Sequence, residues 1–315
     1  MSRLFRREGR GHPKILVLLY HSYHPNFHQF FEDHVRYLKE YCHLLSPQEF
    51  YEISEAGRKI QERSVLITLD DGPRADYTVA FPILKRYGGY AISFVITDPY
   101  YTASSGKEWW KEVEGVMEIG SHTVSHAEIF ISKELTGFVN PIDGEIKKMY
   151  CMVKGVEYQP GFPLYQRGPE LVNRRIIPAI ELIERIRETA QETGFFGQRD
   201  WHEKLEGIVH RNPWPYRDET EEMKGERIKR EIQESKLEIE KITQKECRFF
   251  SYPWGAYNEE VIEMVKEAGY RYAFSTREGL VFPGEDPFQI NRVNIPLDHR
   301  GVSIQHLIEK FFPRR

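Results

Sequence analysis

The chain has 315 residues, 40% hydrophobic and 13% aromatic, enough to bury a full core and long for one compact domain. Lys and Arg number 44 against 48 Asp and Glu, and the formal net charge of -4 excludes a global electrostatic attraction for nucleic acid or an anionic membrane. Three cysteines, Cys42, Cys151 and Cys247, fit no CxxC spacing and leave an odd one in any pairing, which argues for a reducing, cytoplasmic compartment. The basic start MSRLFRREGRGHPK imitates a signal-peptide n-region. The apolar run behind it, ILVLLY, is too short for an h-region and lacks a small-residue cleavage site, so it reads as a buried first strand. No later stretch reaches the roughly 20 apolar residues that span a bilayer.

From that strand onward, short β-rich runs alternate with helical patterns: FFEDHVRYLKEY, SVLITL, AFPILKRYG, AISFVIT, VMEIGSH. Such alternation predicts βα units in a parallel sheet or barrel, an α/β fold. The rhythm breaks after His126. Within one domain spanning 1–315, residues 130–218 read as an inserted lobe. It is rich in Gly, Pro and aromatics, around one helical piece, PELVNRRIIPAIELIERIRETAQETG, that Pro178 should kink. Its aromatics (Tyr158, Phe162, Tyr165, Phe195, Phe196, Trp201, Trp214, Tyr216) could stack on sugar rings, but aromatic side chains more often form a lobe's own small core. Regular pattern resumes with a charged helix whose Ile228, Ile232, Leu237, Ile239 and Ile242 form an apolar stripe. Strand CRFFSYP follows, then helix EEVIEMVKEAG with Gly269 as its C-cap, strands YRYAFST and QINRVNI, and a last helix VSIQHLIEKFF.

Two local features carry chemistry. In Thr68-Leu69-Asp70-Asp71-Gly72 an apolar strand ends in two carboxylates, at the strand end where parallel α/β folds gather catalytic groups. Successive residues point to opposite faces, so the chain must turn there for both carboxylates to serve one site, and Gly72 gives it the freedom. Alone, the feature reads as an Asp-rich turn or helix cap. In Ser121-His122-Thr123-Val124-Ser125-His126 the histidines are four positions apart, a spacing that puts both imidazoles on one side of a helical turn. With 12 histidines in the chain such pairs also arise by chance. Together, two histidines and one carboxylate make a three-ligand set that leaves a position open for water. A divalent metal on Asp71, His122 and His126 would acidify that water to a pKa of about 7, and Asp70 would act as general base in hydrolysis of an amide or ester.

TLDDG followed by SHTVSH resembles the first two motifs of the polysaccharide deacetylase (NodB-homology) superfamily, T-F-D-D-G and H-[ST]-x-x-H. LLYHSYHPNFHQFFEDHVRYLKEYCHLLSPQEF and the segments around YPWG resemble its other conserved stretches; the inserted lobe is not covered. The resemblance implies a distorted (β/α) barrel, Asp70 as base, and a metal on Asp71, His122 and His126. Zinc suits that set, with cobalt or nickel as alternatives. In the third motif, Phe250-Ser251-Tyr252-Pro253-Trp254-Gly255, Ser251 stands where the common form has an arginine, similar to the F-x-Y-P-[FY]-G branch. Trp254 would then give its backbone N–H to the oxyanion, with Tyr252 beside it on the substrate side. Arg292 is the candidate replacement for the arginine that pairs with the base, with Arg248 second. For the general acid His299 is preferred over His306, and His21, ending the first strand, opens toward the site. The implied activity is removal of N- or O-linked acetyl groups from a carbohydrate. The competing readings are hydrolysis of another C–N bond, in a cyclic amide or nucleobase derivative, and a non-catalytic carbohydrate-binding protein.

Overall fold

The runs ILVLLY and SVLITL are apolar on both faces, as strands covered on each side of a parallel sheet must be. The computed structural model describes residues 14–23, 25–56, 59–139, 159–211, 216–296 and 303–313. In it these runs form β1 (Ile15–Tyr20) and, after the two-residue β2 (His43–Leu44), β3 (Ser64–Leu69), with every residue of β1 and β3 buried. The other strands, in chain order, are β4 (Ala91–Val95), β5 (Met117–Ser121), β6 (Glu128–Phe138), β7 (Pro163–Pro169), β8 (Ile176–Pro178), β9 (Tyr216–Asp218), β10 (Phe249–Ser251), β11 (Tyr272–Phe274) and β12 (Val293–Asn294). The chain divides into two compact units. The first comprises Met1–Val124, Glu234–Gly255 and Val265–Arg315, the second Ser125–Gln233 and Ala256–Met264.

The first unit is built on one parallel sheet in the order β11-β10-β5-β4-β3-β1-β12, with β2 paired to the start of β3. Ile290 bridges Phe274 of β11 in parallel, and a few residues on β12 pairs with β1, so the segment from Ile290 to Asn294 joins the two edges. This is the distorted (β/α) barrel expected from the sequence. The run QINRVNI supplies only the bridge at Ile290 and the two paired residues of β12, because between them the Arg292 N–H turns to Arg277 O at 3.0 Å. Val17, Leu66, Ile92, Phe94, Phe249 and Phe274 belong to one buried cluster inside this sheet. Each such side chain contributes about 1.5–3 kcal/mol on burial. Outside, the helix Phe27–Tyr41 turns Phe27, Phe31, His34, Val35 and Leu38 inward at helical spacing. Gly269, at φ +83, ends the turn after helix Glu259–Glu267 as its sequence position predicts. No helix among the described residues is long and apolar enough to cross a membrane.

The second unit pairs β6 with β7 and β8 with β9, both antiparallel, and adds helices Ile180–Ala190 and Trp201–Arg211. Its aromatics are mostly its own core. Phe195 packs with Leu182, Ile186 and Leu205, and Phe162 and Tyr165 pack with Phe130 and Ile183. Tyr158 and Trp214 lie outside the described residues. Two expectations are corrected. Pro178 does not kink a helix: β8 ends at it and the helix starts at Ile180, because a proline disfavours the helical region for the residue before it and has no N–H to continue the ladder. In the helix Glu221–Thr243, Ile228, Ile232 and Ile239 are buried, whereas Leu237 is 64% exposed and does not belong to the stripe. Cys42 and Cys247 are free thiols, and Cys151 lies outside the described residues.

Candidate active site

Pairing of β1 with β3 runs in register from Ile15↔Ser64 to Tyr20↔Leu69, and the Asp70 N–H still reaches Tyr20 O at 3.0 Å. Asp70 therefore continues the strand, and its carboxylate meets an arginine that caps the barrel's apolar interior. Arg292, fully buried, stands over the rings of Phe94 and Phe274. Its Nη1 donates to Asp70 Oδ1 at 2.7 Å and its Nη2 to Oδ2 at 2.8 Å. Ser251 Oγ donates to Asp70 Oδ2 at 3.1 Å and lies 2.9 Å from Arg292 Nη2. Burial alone would raise the Asp70 pKa. The charge of Arg292, then those of His122 and His21, override it and hold the carboxyl well below the usual range, so it is ionised.

Asp71 leaves the strand direction at φ +76, and Gly72 follows at φ +60. No larger residue fits at Gly72, since a Cβ there would come within 2.6 Å of Val95 Cγ1. The turn brings Asp71 beside His122, whose Nε2 lies 3.5 Å from Asp71 Oδ1. The Nδ1–H of His122 donates to Ser251 O at 2.8 Å, which fixes the ring with Nε2 on the side of Asp71. Asp71, His122 and His126 each offer one ligand atom, all within 4.8 Å of one another, and this oxygen and nitrogen set fits a divalent metal. The helical turn expected for HxxxH is not there. The segment after β5 is irregular, with Thr123 at φ +66 and His126 at φ +52, and this backbone rather than a helix face brings the rings together. Four of the six described non-glycine residues with left-handed backbone, Asp71, Thr123, His126 and Trp254, fall in the three motifs. Each costs about 1–3 kcal/mol, strain of the kind that gathers at functional sites.

Comparison with known proteins gives the family and the fold. A family model described as polysaccharide deacetylase matches residues 57–149 and 201–273, just over half of the chain. The chain belongs to the polysaccharide deacetylase family. It is 23% identical over 271 residues to the poly-beta-1,6-N-acetyl-D-glucosamine N-deacetylase of Staphylococcus epidermidis, covering 86% of this chain and 68% of that one. Among solved structures, a de-N-acetylase of Aggregatibacter actinomycetemcomitans shares its fold, with TM-score 0.62, 18% identity and coverage of 94% and 99% of the two chains. The Streptococcus pyogenes deacetylase PplD, in complex with acetate, matches at TM-score 0.59 and 19% identity, covering 96% of this chain and 100% of that one.

Around the centre of this deacetylase the other sequence-derived candidates separate. His21 follows β1, its charge acts on Asp70, and its Nδ1 is buried without a hydrogen-bond partner in the structure. Trp254 sits at the left-handed turn after β10 with its side chain half-exposed. Tyr252 is corrected: its ring is wholly buried and its hydroxyl proton is committed to Phe288 O at 3.0 Å, a packing role rather than a place on the substrate side. Arg248 forks Glu118, near the start of β5, and does not pair with Asp70. His306 is exposed on the helix Ile304–Phe311, and His299 lies outside the described residues. Neighbours the sequence did not single out include Asp76, buried in a turn of π-helix (Asp76–Ala80). It accepts from Ser22 Oγ and Ser93 Oγ, both at 2.6 Å. Burial pushes its pKa up to about 7, against those two hydrogen bonds and with help from the charges of Asp71 and Asp70. Tyr23 and Tyr101 share a 2.8 Å hydrogen bond; burial and then the charge of Asp71 raise the pKa of both.

Proposed function

We propose that this deacetylase removes N-linked acetyl groups from a β-1,6-linked N-acetylglucosamine polymer or a closely related saccharide, using a divalent metal, zinc first and cobalt or nickel as alternatives, on Asp71, His122 and His126. The observation that carries the reading is the ionised Asp70, locked by Arg292 beside the His–His–Asp donor set. The substrate class rests on the named activity of the Staphylococcus epidermidis relative.

When bound, such a metal polarises an acyl oxygen and brings a water to a pKa of about 7. The chain's own residues do the rest. Asp70, ionised across the working range, takes the proton from the attacking water. Arg292 and Ser251 fix the orientation of its carboxylate, so no reorganisation is needed when the proton arrives. The Ser251 carbonyl keeps His122 in the tautomer whose Nε2 can ligate. The Trp254 backbone N–H is assigned to the acetyl oxygen as negative charge grows there. His299 keeps the assignment of proton donor to the leaving amine. The reducing, cytoplasmic compartment is also part of the proposal, and fractionation of cells that make the protein tests it.

Acetate release from N-acetylglucosamine oligomers tests the reading. Wild type should release acetate, and Asp70→Asn should lose about 10²–10⁴-fold in kcat while still binding metal. Absence of release from N- and O-acetylated saccharides alike, with stoichiometric metal bound, would sink it.

A further inference from the structure

His126 sits at φ +52, in the left-handed region that residues other than glycine seldom adopt, and contacts outside the residue hold the segment there. The holding groups lie in the same compact unit as His126 itself. Ser125, immediately before His126, donates its N–H to Glu231 Oε2 at 2.8 Å. Its Oγ lies 2.7 Å from Glu170 Oε1 and 3.0 Å from Glu231 Oε2. Ala127, immediately after His126, accepts from the Glu170 N–H at 3.2 Å. The ligand is thus bracketed on both sides by two glutamates, one from the helix Glu221–Thr243 and one at the end of β7.

Both glutamates are 2% exposed, and burying carboxylates is costly unless they do something a leucine could not. Their surroundings are themselves fixed. Arg227, 3% exposed, donates to Glu170 O at 2.7 Å and to Asn173 O at 2.9 Å, and forks Glu219 at 2.8 and 2.7 Å. A rigid acceptor pair facing one backbone N–H and one hydroxyl is suited to define a backbone path, much as ligand-orienting partners do at metal sites.

We infer that Glu231 and Glu170 are positioning residues for His126, a role that rests on the metal-ligand reading above. Without Glu231 the buried Ser125 N–H loses its acceptor, the segment relaxes from its left-handed path, and the His126 ring leaves Asp71 and His122 as a two-ligand remnant. The test is metal affinity. Metal-stripped wild type, Glu231→Ala, Glu231→Gln, Glu231→Asp and Asp71→Ala are titrated with zinc against a chromophoric chelator, and the visible spectrum of each cobalt form is recorded.

The expected result is one tight metal in wild type and its loss in Asp71→Ala. Glu231→Ala should bind about 10- to 100-fold more weakly, with a changed cobalt spectrum. Glu231→Gln, which keeps an acceptor for the Ser125 N–H, should recover most of the affinity. Wild-type affinity and spectrum in Glu231→Ala, with Asp71→Ala defective, would overturn the inference and leave the ligand reading standing. Failure of wild type to take up metal would remove both. If Glu231→Ala does not fold, Glu231→Asp decides, because its shorter side chain withdraws the acceptor from the Ser125 N–H: weaker binding supports the bracket, and unchanged binding overturns it.

Discussion

Two arginine–carboxylate forks sit on one sheet, near opposite ends of its strands, and they treat their carboxylates in opposite ways. Arg292 holds Asp70 after the end of β3 with side chains 0% and 3% exposed. Arg248 holds Glu118 near the start of β5, at 2.8 and 3.0 Å, with side chains 16% and 23% exposed. Asp70 is held well below the usual carboxylate range, because Arg292 is seconded by the charges of His122 and His21. Glu118 is raised: burial outweighs Arg248 and the charge of Lys245, and Glu246 adds a like charge. A fork therefore does not make a carboxylate acidic by itself; the balance between burial and all the charges around it decides.

The largest effect should come from breaking the deeper fork. Arg292→Met leaves Asp70 buried without its counter-charge, which should cost about 3–5 kcal/mol in urea unfolding at pH 7 and abolish acetate release. Asp70 is depressed in the folded protein, so its contribution is present above its unfolded pKa, near 3.8, and is lost as pH falls below it. Wild type should shed that stability on acidification, and the variant should have little of it to shed. A cost under about 1 kcal/mol would mean that depth makes no difference between the forks.

Asp76 gives an intermediate effect with the opposite sign. Its folded pKa of about 7 lies above its unfolded value, so its contribution is complete below pH 4 and is lost as pH rises through 7. Asp76→Asn removes that titration. Its stability relative to wild type should improve steadily between about pH 4 and pH 7 in the metal-free protein and level off above that, and a flat difference would count against the raised value. The smallest effect belongs to the shallower fork. Arg248→Met should cost about 1 kcal/mol or less and leave acetate release unchanged, and a loss comparable to that of Arg292→Met would erase the distinction between the two.

The barrel was legible because its strands are short, doubly apolar runs separated by helical patterns, and Asp70, Asp71, His122 and His126 were legible because they lie in two contiguous segments. Arg292 could be named as a partner from sequence, but nothing in the chain separates it from Arg248. The choice depends on which residue the closing segment sets over Phe94 and Phe274. Backbone conformation was hidden for a different reason. Left-handed φ is announced by glycine, as at Gly72, and Asp71, Thr123 and His126 adopt it under outside constraint. For His126 the constraint we infer is Glu170 and Glu231, which in a chain with 48 acidic residues look like ordinary surface glutamates. Pro178 was misread because helical periodicity on both sides of it outweighed the rule that a helix seldom runs through a proline.

Asp70 and Arg292 are 222 residues apart, and the arginine lies in the segment that joins β11 to β1. The proposed reactive centre is consequently among the last things the chain can complete. Until residues 290–294 have emerged and docked, the barrel is an open sheet with an uncompensated carboxylate at its mouth. If Asp70 has the role proposed for it, catalysis requires the seam to be closed, and that closure depends on contacts of very long sequence separation.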